Sequence, residues 1–170
     1  MRRVVPLALS GVVAAQAGAA ELTVSVEIPR LNVAEYHRPY VALWLERKDA
    51  GAVGTLAVWY DLKLKDREGE KWLKDLRQWW RRIGRDLALP VDGVTAATRA
   101  PGTHKLVFAA DRAPLAGLAP GSYELVIEAA REVGGRELLR IPFDWPAAAP
   151  STAAASGEHE LGAVSLTVQP

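Results

Sequence analysis

The stretch SYELVIEAAREVGGRELLRIPFDW, from Ser122 to Trp145, decides the fold class of this chain. It holds two runs rich in aliphatic and aromatic residues, SYELVIEAA and RELLRIPFDW, on either side of a turn-forming segment. The pair Gly134 and Gly135 in that segment is a strong hairpin signal, because glycine adopts the backbone conformations that tight turns need. The stretch therefore predicts two adjacent antiparallel β-strands.

Five further segments have the same character and extend the prediction in both directions. They are ELTVSVEI, RPYVALWLER, GTLAVWYDL, HKLVFAA and LGAVSLTVQ, starting at positions 21, 38, 54, 104 and 161. Seven short strands at this spacing are typical of a mainly β chain folded as an immunoglobulin-like antiparallel β-sandwich, here with one inserted amphipathic helix. The tract PAAAPSTAAASGE, 146–158, is predicted to be a flexible surface loop, because a single strand follows it.

The inserted helix is predicted from Glu70 to about Ile83. Apolar residues fall on one face of a 3.6-residue helix, with Gly84 as its stop. These residues are Trp72, Leu73, Leu76, Trp79, Trp80 and Ile83. Because neighbouring helix residues point about 100° apart, Trp79 and Trp80 cannot both occupy the centre of the buried stripe. One of them is predicted at its margin, where it meets a flavin or a redox partner.

The same segment is strongly basic. Between Lys71 and Arg85 there are six basic residues and one acidic residue, Asp75. A solvated outer face accounts for this charge. A docking face for an anionic cofactor or an acidic redox partner is the alternative.

Residues 1–20 have the layout of a secretory signal peptide. Arg2 and Arg3 precede an apolar run, and small residues end at Ala20, just before Glu21. A membrane anchor is disfavoured because the run is shorter than the ~20 residues that span a bilayer. We expect cleavage near Ala19–Glu21, export to the periplasm, and a single β-sandwich domain over 21–170.

Composition narrows the classes of function. Without Arg2 and Arg3, 19 of the 21 basic residues remain against 20 acidic ones, and near-neutrality argues against a nucleic-acid partner. The absence of cysteine excludes disulfides, iron–sulfur ligation and thiol attachment of haem or lipid. No segment after the signal is long and apolar enough to cross a membrane, so the exported chain is not expected to be transmembrane.

The segment DGVTAATRAPG, from Asp92 to Gly102, contains more than a turn requires. Asp92 and Gly93 suffice for the turn, yet the segment resembles the acceptor motif of proteins modified by FAD:protein FMN transferase. That motif is Asp, two free positions, Ser or Thr, usually Gly, then Ala-Thr. The matches are Asp92, Thr95, Ala97 and Thr98, with Ala96 where Gly is usual. The resemblance implies that Thr98 carries FMN through a phosphoester bond.

The residue types suit that chemistry. A nucleophilic threonine needs a slim, exposed segment, since the transferase works mainly by positioning the hydroxyl against a pyrophosphate phosphorus. Asp92 and Thr95 are predicted to shape the turn through side-chain to backbone hydrogen bonds, and Arg99 to lie beside the phosphodiester. The alternative is an Asx-turn before a strand, with Thr98 as an ordinary β-branched residue.

A wider resemblance covers nearly all of the chain after the signal. Its quoted segments are YHRPYVALWLE, TLAVWYDLKLKD, GEKWLKDLRQWWRR, DGVTAATRAPGTHKL and PGSYELVIEAAREVGGRELLRIPFDW. Together they resemble the periplasmic family known as domain of unknown function 2271. That resemblance implies a small exported β-rich domain, often encoded near an FMN transferase and near PepSY-type membrane proteins that pass electrons across the inner membrane.

Histidines give no metal site, because His37, His104 and His159 lack metal-ligand spacing. His104, six residues beyond Thr98, is a candidate flavin contact, or else it begins a strand with its side chain in water. His37 belongs with Arg38 and Tyr40 to a candidate part of the same surface.

Two functions remain. The first is an exported flavoprotein electron carrier with FMN covalently attached to Thr98, shuttling electrons between a membrane donor and periplasmic acceptors. Such a protein is a redox carrier rather than a stand-alone enzyme, and no catalytic residue is predicted. The second is an immunoglobulin-like adaptor of the cell envelope with Thr98 unmodified.

Overall fold

The computed structural model describes residues 20–170. The predicted signal peptide and its cleavage position therefore lie almost wholly outside the described residues.

Two β-sheets build the molecule. The first has the strand order β5-β1-β9-β8, and every pair in it is antiparallel. Its strands are β1 (Glu21–Ile28), β5 (Gly102–Ala109), β8 (Ser151–Ser156) and β9 (Ala163–Gln169).

The second sheet has the order β4-β3-β2-β6-β7. Its strands are β2 (Tyr40–Arg47), β3 (Gly51–Tyr60), β4 (Thr95–Ala97), β6 (Gly121–Ala130) and β7 (Arg136–Trp145). The short edge strand β4 runs parallel to β3, and the other pairs are antiparallel. The predicted mainly β, sandwich-like architecture is confirmed, while its immunoglobulin-like character stays a prediction.

The main core lies where the first sheet packs against the second. In β1 alternate residues are fully buried, among them Leu22, Val24 and Val26, as a strand with one covered face requires. The second sheet contributes Leu43 and Trp59 to this cluster.

The opposite face of the second sheet is covered by short helices. A second cluster there joins Trp44, Val58 and Val126 of the sheet to Leu73 and Trp79 of the helical segment. The central strand β2 is therefore buried on both faces, which explains why its sequence reads as a continuous apolar run.

The predicted continuous helix is wrong in its details. The segment contains two short α-helices, α1 (Glu68–Lys71) and α2 (Arg77–Arg82), and three single 3₁₀ turns over 65–67, 73–75 and 84–86. Leu76 breaks the helix with φ −75° and ψ 71°. Leu73, Leu76 and Trp79, spaced by three residues, are fully buried, whereas Trp72 is exposed. This three-residue spacing follows 3₁₀ geometry better than the α-helical period.

Gly84 is not simply a helix stop. It begins a 3₁₀ turn, and a Cβ at this position would lie 2.6 Å from the ring of Trp79. The absence of a side chain lets the backbone pack directly against that buried indole.

Glu128 fixes the helical segment to the sheet. Its carboxylate is fully buried and accepts hydrogen bonds from the backbone N–H groups of Gln78 and Trp79 at 2.9 and 2.8 Å. Arg136 Nη1 neutralises it at 2.8 Å. A buried carboxylate thus satisfies the free N–H groups at the start of α2.

The tract 146–158, predicted to be a loop, contains strand β8. This strand pairs with β9 from Ser151 to Ser156 and forms the edge of the first sheet. None of its residues is fully buried, so its alanines and small polar residues carry no apolar alternation that could reveal it.

Candidate functional site

A cavity of about 920 Å³ opens at one end of the second sheet. We call it the Thr98 cavity, because Ala97 and Thr98 form part of its wall. The rest of the wall comes from the chain before β2, the turn after β3, the helical segment and the β6–β7 turn. These wall segments contribute residues within 36–40, 61–64, 72–77 and 130–136.

The sheet topology brings these residues together. Ala97 lies beside Tyr60 in the β4–β3 pair, and Tyr40 lies beside Ala130 in the β2–β6 pair. Ala130 in turn lies beside Arg136. The ends of all five strands thus form one row, and neighbouring strands are spaced by about 4.8 Å.

Thr98 stands at the end of this row on an edge strand. Its N–H donates to the Tyr60 carbonyl at 3.2 Å, continuing the pairing of β4 with β3. The side chain is half-buried at the cavity wall. Within residues 20–170 the Thr98 hydroxyl has no hydrogen-bond partner.

The turn before β4 is held by Thr95 alone among the predicted turn-shaping side chains. Thr95 Oγ1 accepts a hydrogen bond from Val91 N at 2.9 Å, and Thr95 N donates to the Val91 carbonyl at 2.9 Å. Gly93 takes a positive φ of 71°, which glycine adopts without strain. The side chain of Asp92 is exposed and forms no hydrogen bond within the described residues, which corrects the expected Asp92 contribution to the turn.

The side chains of Arg99 and His104 contact Trp59 and do not face the Thr98 cavity. The Arg99 guanidinium carbon lies 5.4 Å from the centroid of the Trp59 ring, and the His104 ring meets the same indole edge-on at 5.8 Å. His104 Nε2 lies 2.8 Å from the carbonyl of Ala100. Neither side chain lines the Thr98 cavity, and neither do Asp92, Gly93 or Thr95. A flavin contact by Arg99 or His104 stays a prediction without support from this geometry.

The indole that faces the cavity is Trp72. It is 53% exposed, and Lys74 Nζ lies 5.8 Å from its ring centroid. Trp79 is fully buried and donates from Nε1 to Thr55 Oγ1 at 3.0 Å, while Trp80 is half-buried against it. The expectation that one of Trp79 and Trp80 is less deeply buried than the other is confirmed. However, the indole that lines the cavity is that of Trp72, which had been assigned to the buried stripe.

The cavity wall carries more positive than negative groups. Its cations are Arg38, Lys63, Arg77, Arg131 and Arg136, and its acids are Asp61, Asp75 and Glu132. His37 also lines it and is held by two carboxylates, with Nε2 3.0 Å from Glu35 and Nδ1 3.5 Å from Glu132. Arg131 and Arg136 are already paired with Glu160 and Glu128, which leaves three cations against three acids at the wall.

His37, Arg38 and Tyr40 line the same cavity as Thr98, although about sixty residues separate them in the chain. Burial raises the pKa of Tyr40, and burial likewise raises the pKa of Tyr36 despite the opposing charge of Arg131. Both phenols are therefore neutral hydrogen-bonding groups at physiological pH.

A comparison with known protein families shows to which family this chain belongs. A family model described as "Predicted periplasmic protein (DUF2271)" matches residues 21–163. The chain belongs to the DUF2271 family. No curated protein and no solved structure matches it.

Two further observations on this DUF2271 protein concern membrane-spanning helices and metal-binding groups. No helix among residues 20–170 has the length and apolar character that crossing a bilayer requires. Within the same residues, no three side chains of the types His, Cys, Asp and Glu come together in a metal-binding group.

Sequence reasoning missed an ion pair at the cavity wall. Arg131 and Glu160 have side chains 6% and 4% exposed, and two hydrogen bonds of 2.8 and 3.0 Å join them. The available signal was the Gly134–Gly135 pair, interpreted as turn chemistry alone. In this turn the positive φ of 51° belongs to Val133, so the two glycines are needed for another reason.

That reason is space. A Cβ on Gly134 would lie 2.5 Å from the Arg131 guanidinium carbon, and one on Gly135 would lie 2.9 Å from Glu160 Oε1. Gly135 N also donates to Glu160 Oε1 at 2.8 Å. The glycines thus allow the hairpin to close around the ion pair.

Proposed function

We propose that this protein is a periplasmic flavoprotein electron carrier that holds FMN through a phosphoester bond to Thr98. The observation that carries the proposal is the position of Thr98. Thr98, the last residue of an acceptor-like motif, lines a large cavity together with Trp72, Tyr40 and Lys63, and its hydroxyl has no hydrogen-bond partner within residues 20–170.

The residues present fit the cofactor. Trp72 and Tyr40 offer aromatic surface to a flat isoalloxazine ring, and such contacts favour stacked or edge-on geometry. Lys63 lines the cavity and follows closely in the chain after Tyr60, whose carbonyl accepts a hydrogen bond from Thr98 N. A phosphodiester on Thr98 keeps one negative charge, which Lys63 is suited to balance.

The edge position of β4 suits modification by another protein. One side of β4 pairs with β3, and no strand of the described residues covers the other. A transferase can therefore approach along a free strand edge. In the reaction the Thr98 oxygen bonds to the FMN phosphorus of FAD, the pyrophosphate bond breaks, AMP leaves and the hydroxyl proton is released.

The proposed partners are a FAD:protein FMN transferase, which attaches the cofactor, and a PepSY-type membrane electron-transfer protein, which reduces it. The exposed basic residues of the helical segment support docking to an acidic redox partner. These are Lys71, Lys74, Arg77, Arg81, Arg82 and Arg85. When bound, FMN supplies the redox chemistry, and the chain supplies attachment, orientation and electrostatics.

In-gel fluorescence tests the proposal. The chain is co-expressed with a transferase and run on a denaturing gel, where only covalently bound flavin stays with the band. We expect the wild type and Thr103→Ala, which alters an exposed threonine on β5, to fluoresce, and Thr98→Ala to be dark. Fluorescence that persists in Thr98→Ala would place the flavin elsewhere, and a dark wild-type band would favour the adaptor alternative.

A further inference from the structure

Charge is unevenly distributed over the molecule. Residues 61–85, which run from the turn after β3 through α2, hold nine basic and five acidic residues, whereas the rest of 21–170 holds ten basic and fifteen acidic ones. We call residues 61–85 the basic layer, because they cover the outer face of the second sheet and all nine of their basic residues are exposed. Such an asymmetry in a nearly neutral chain directs one side of the protein toward an anionic partner.

The basic layer also exposes apolar side chains. Leu62, Leu64 and Trp72 are 45%, 40% and 53% exposed. Leu64 and Trp72 line the Thr98 cavity together with Lys63 and Arg77, so apolar and cationic groups share one side of the molecule. A single exposed leucine needs no explanation, whereas exposed apolar residues gathered at one place mark an interaction site.

Lysines separate these apolar residues. Lys63 and Lys65 alternate with the two leucines in the chain, and Lys74 Nζ lies 5.8 Å from the ring centroid of Trp72. Lysine carries a strongly hydrated ammonium on a four-carbon apolar stem. The stem can therefore lie along apolar surface while the charge reaches water or an anion.

The acids of the basic layer do not cancel its charge. Two of them pair with basic residues of the same layer, in Lys71–Glu68 and Arg67–Glu70. Two further basic residues contact acids outside the layer. Within residues 20–170, five cations without a salt bridge thus remain against three acids. The cations are Lys63, Lys65, Lys74, Arg77 and Arg81, and the acids are Asp61, Asp66 and Asp75.

We propose that the basic layer docks the protein on the surface of an anionic lipid bilayer, with Leu62, Leu64 and Trp72 inserted between the headgroups and the acyl chains. The lysines beside them bind the lipid phosphates. Basic residues close to an anionic bilayer strengthen binding, and apolar side chains that enter the interfacial region add to it. Tryptophan is enriched at this depth. The inference does not rest on the proposed function, because no part of it requires FMN.

The arrangement of the residues favours a bilayer over an acidic protein. A protein interface gathers its apolar residues in a core from which lysine is depleted. In the turn after β3, apolar residues and lysines instead alternate over the four successive positions 62–65. A bilayer surface accommodates this mixture, since lysine stems extend from the apolar depth to the phosphates.

Docking in this orientation turns the Thr98 cavity toward the bilayer, because Leu64 and Trp72 lie in the cavity wall. A group held at Thr98 then faces the membrane that contains the proposed electron donor. Contact with the bilayer and contact with that donor use the same side of the molecule, so the two are compatible.

Co-sedimentation with vesicles tests the inference. The protein purified after export is mixed at low ionic strength with vesicles of phosphatidylglycerol and phosphatidylethanolamine, or with vesicles of phosphatidylcholine alone. We expect binding to the anionic vesicles, and a weakening of about tenfold in Lys65→Gln/Lys74→Gln, which removes two charges. Leu62→Ser/Leu64→Ser should weaken binding by a similar factor, because it removes the inserted apolar surface.

Matched controls lie outside the basic layer. Lys48→Gln/Lys105→Gln removes two exposed lysines, Val107→Ser removes a side chain of a residue that is 52% exposed, and both should bind as the wild type does. No binding to anionic vesicles, or equal binding by the layer variants and the controls, would overturn the inference. Loss of binding in the lysine variant alone would also overturn it, because a contact by charge without insertion fits an acidic protein partner.

Quenching of tryptophan fluorescence gives an independent readout. Trp72 is exposed, whereas the other five tryptophans are buried or half-buried. Phosphatidylglycerol brominated on its acyl chains quenches the indoles that reach the hydrocarbon boundary. The wild type should be quenched, and Trp72→Phe should lose most of this quenching, whereas equal quenching of the two would contradict insertion. Both experiments use the chain without flavin, so their failure leaves the carrier function standing, and failure of flavin attachment leaves them unaffected.

Discussion

Thr98 and its neighbours show what a motif can and cannot predict. The acceptor-like order of residues singled out Thr98, and that residue lines a cavity, with no hydrogen-bond partner for its hydroxyl among residues 20–170. The same order suggested Arg99 as its partner. The Arg99 guanidinium carbon lies instead 5.4 Å from the centroid of the Trp59 ring, and Arg99 does not line the cavity. Adjacency in the sequence therefore did not predict which surface Arg99 contacts.

Asp92 should matter for modification and little for stability. Its exposed side chain forms no hydrogen bond in residues 20–170, so Asp92→Ala should change the free energy of unfolding by less than about 1 kcal/mol. We nevertheless expect the variant to lose most of its FMN, because the motif places an acid there for the transferase. Urea denaturation and flavin absorbance per chain measure the two effects. A large loss of stability with full flavin content would reverse the assignment.

Substitutions of Trp72 and Trp79 should have different effects, the first on the bound flavin and the second on the stability of the fold. Trp72→Phe removes exposed indole surface at the cavity, so its stability should stay within about 0.5 kcal/mol of wild type while the fluorescence of bound flavin changes. Trp79→Phe loses a buried hydrogen bond to Thr55 and core volume, at a cost of roughly 2–3 kcal/mol. Unchanged flavin fluorescence in Trp72→Phe would exclude contact between that indole and the ring.

At the scale of elements, long alternating strands were predictable and short ones were not. The segments that became β1, β2, β3, β6 and β7 owe their apolar patterns to one or two covered faces. Strand β4 has three residues and β8 has no fully buried side chain, so neither leaves a period in the sequence. The helical segment has the predicted apolar residues but is interrupted at Leu76, and its fully buried residues Leu73, Leu76 and Trp79 are spaced by three.

The attachment of the helical segment to the second sheet should depend on the side chain of Glu128. Removing this buried carboxylate leaves the N–H groups of Gln78 and Trp79 unpaired and Arg136 without its counter-ion. We expect Glu128→Ala to destabilise the fold by about 3 kcal/mol, the lower end of the cost of breaking a buried pair. The exposed Glu132→Ala serves as its control. Equal unfolding midpoints for the two variants would contradict the anchoring role.

At the scale of the whole molecule, one carboxylate ties the two sheets together. Glu137 of β7 accepts backbone hydrogen bonds from residues 158–161, in the chain that leads from β8 to β9. Burial alone would raise the pKa of Glu137, but these four N–H groups lower it below its ordinary value.

Stability should therefore depend on pH through Glu137. Because the folded-state pKa is lower than the unfolded one, its contribution is complete above the unfolded value, about 4.5, and is lost as the pH falls through the folded value. Glu137→Gln should be less stable than wild type by about 1–2 kcal/mol at pH 7, and the difference should shrink toward pH 3. Urea midpoints measured from pH 7 to pH 3 check this, with Glu132→Gln as control. A difference that stays constant across the range would exclude the linkage.

The cavity itself is a property of the whole chain. It combines residues before β2, after β3, in the helical segment, at the end of β4 and in the β6–β7 turn. Spacing along a sequence cannot reveal such a meeting of segments, whereas the order of strands in the second sheet produces it. His37, Arg38 and Tyr40 could be named as candidates from sequence, but their place opposite Thr98 required the fold.

Peptide mapping of the protein co-expressed with a transferase tests the central claim most directly. Trypsin releases the segment from Asp86 to Arg99, which contains only two hydroxyl groups, those of Thr95 and Thr98. We predict that this peptide carries the mass of FMN and that fragmentation places it on Thr98, with Thr95 unmodified and engaged with Val91 N. A modified Thr95, or a peptide of unmodified mass beside a flavin-bearing chain, would contradict the account.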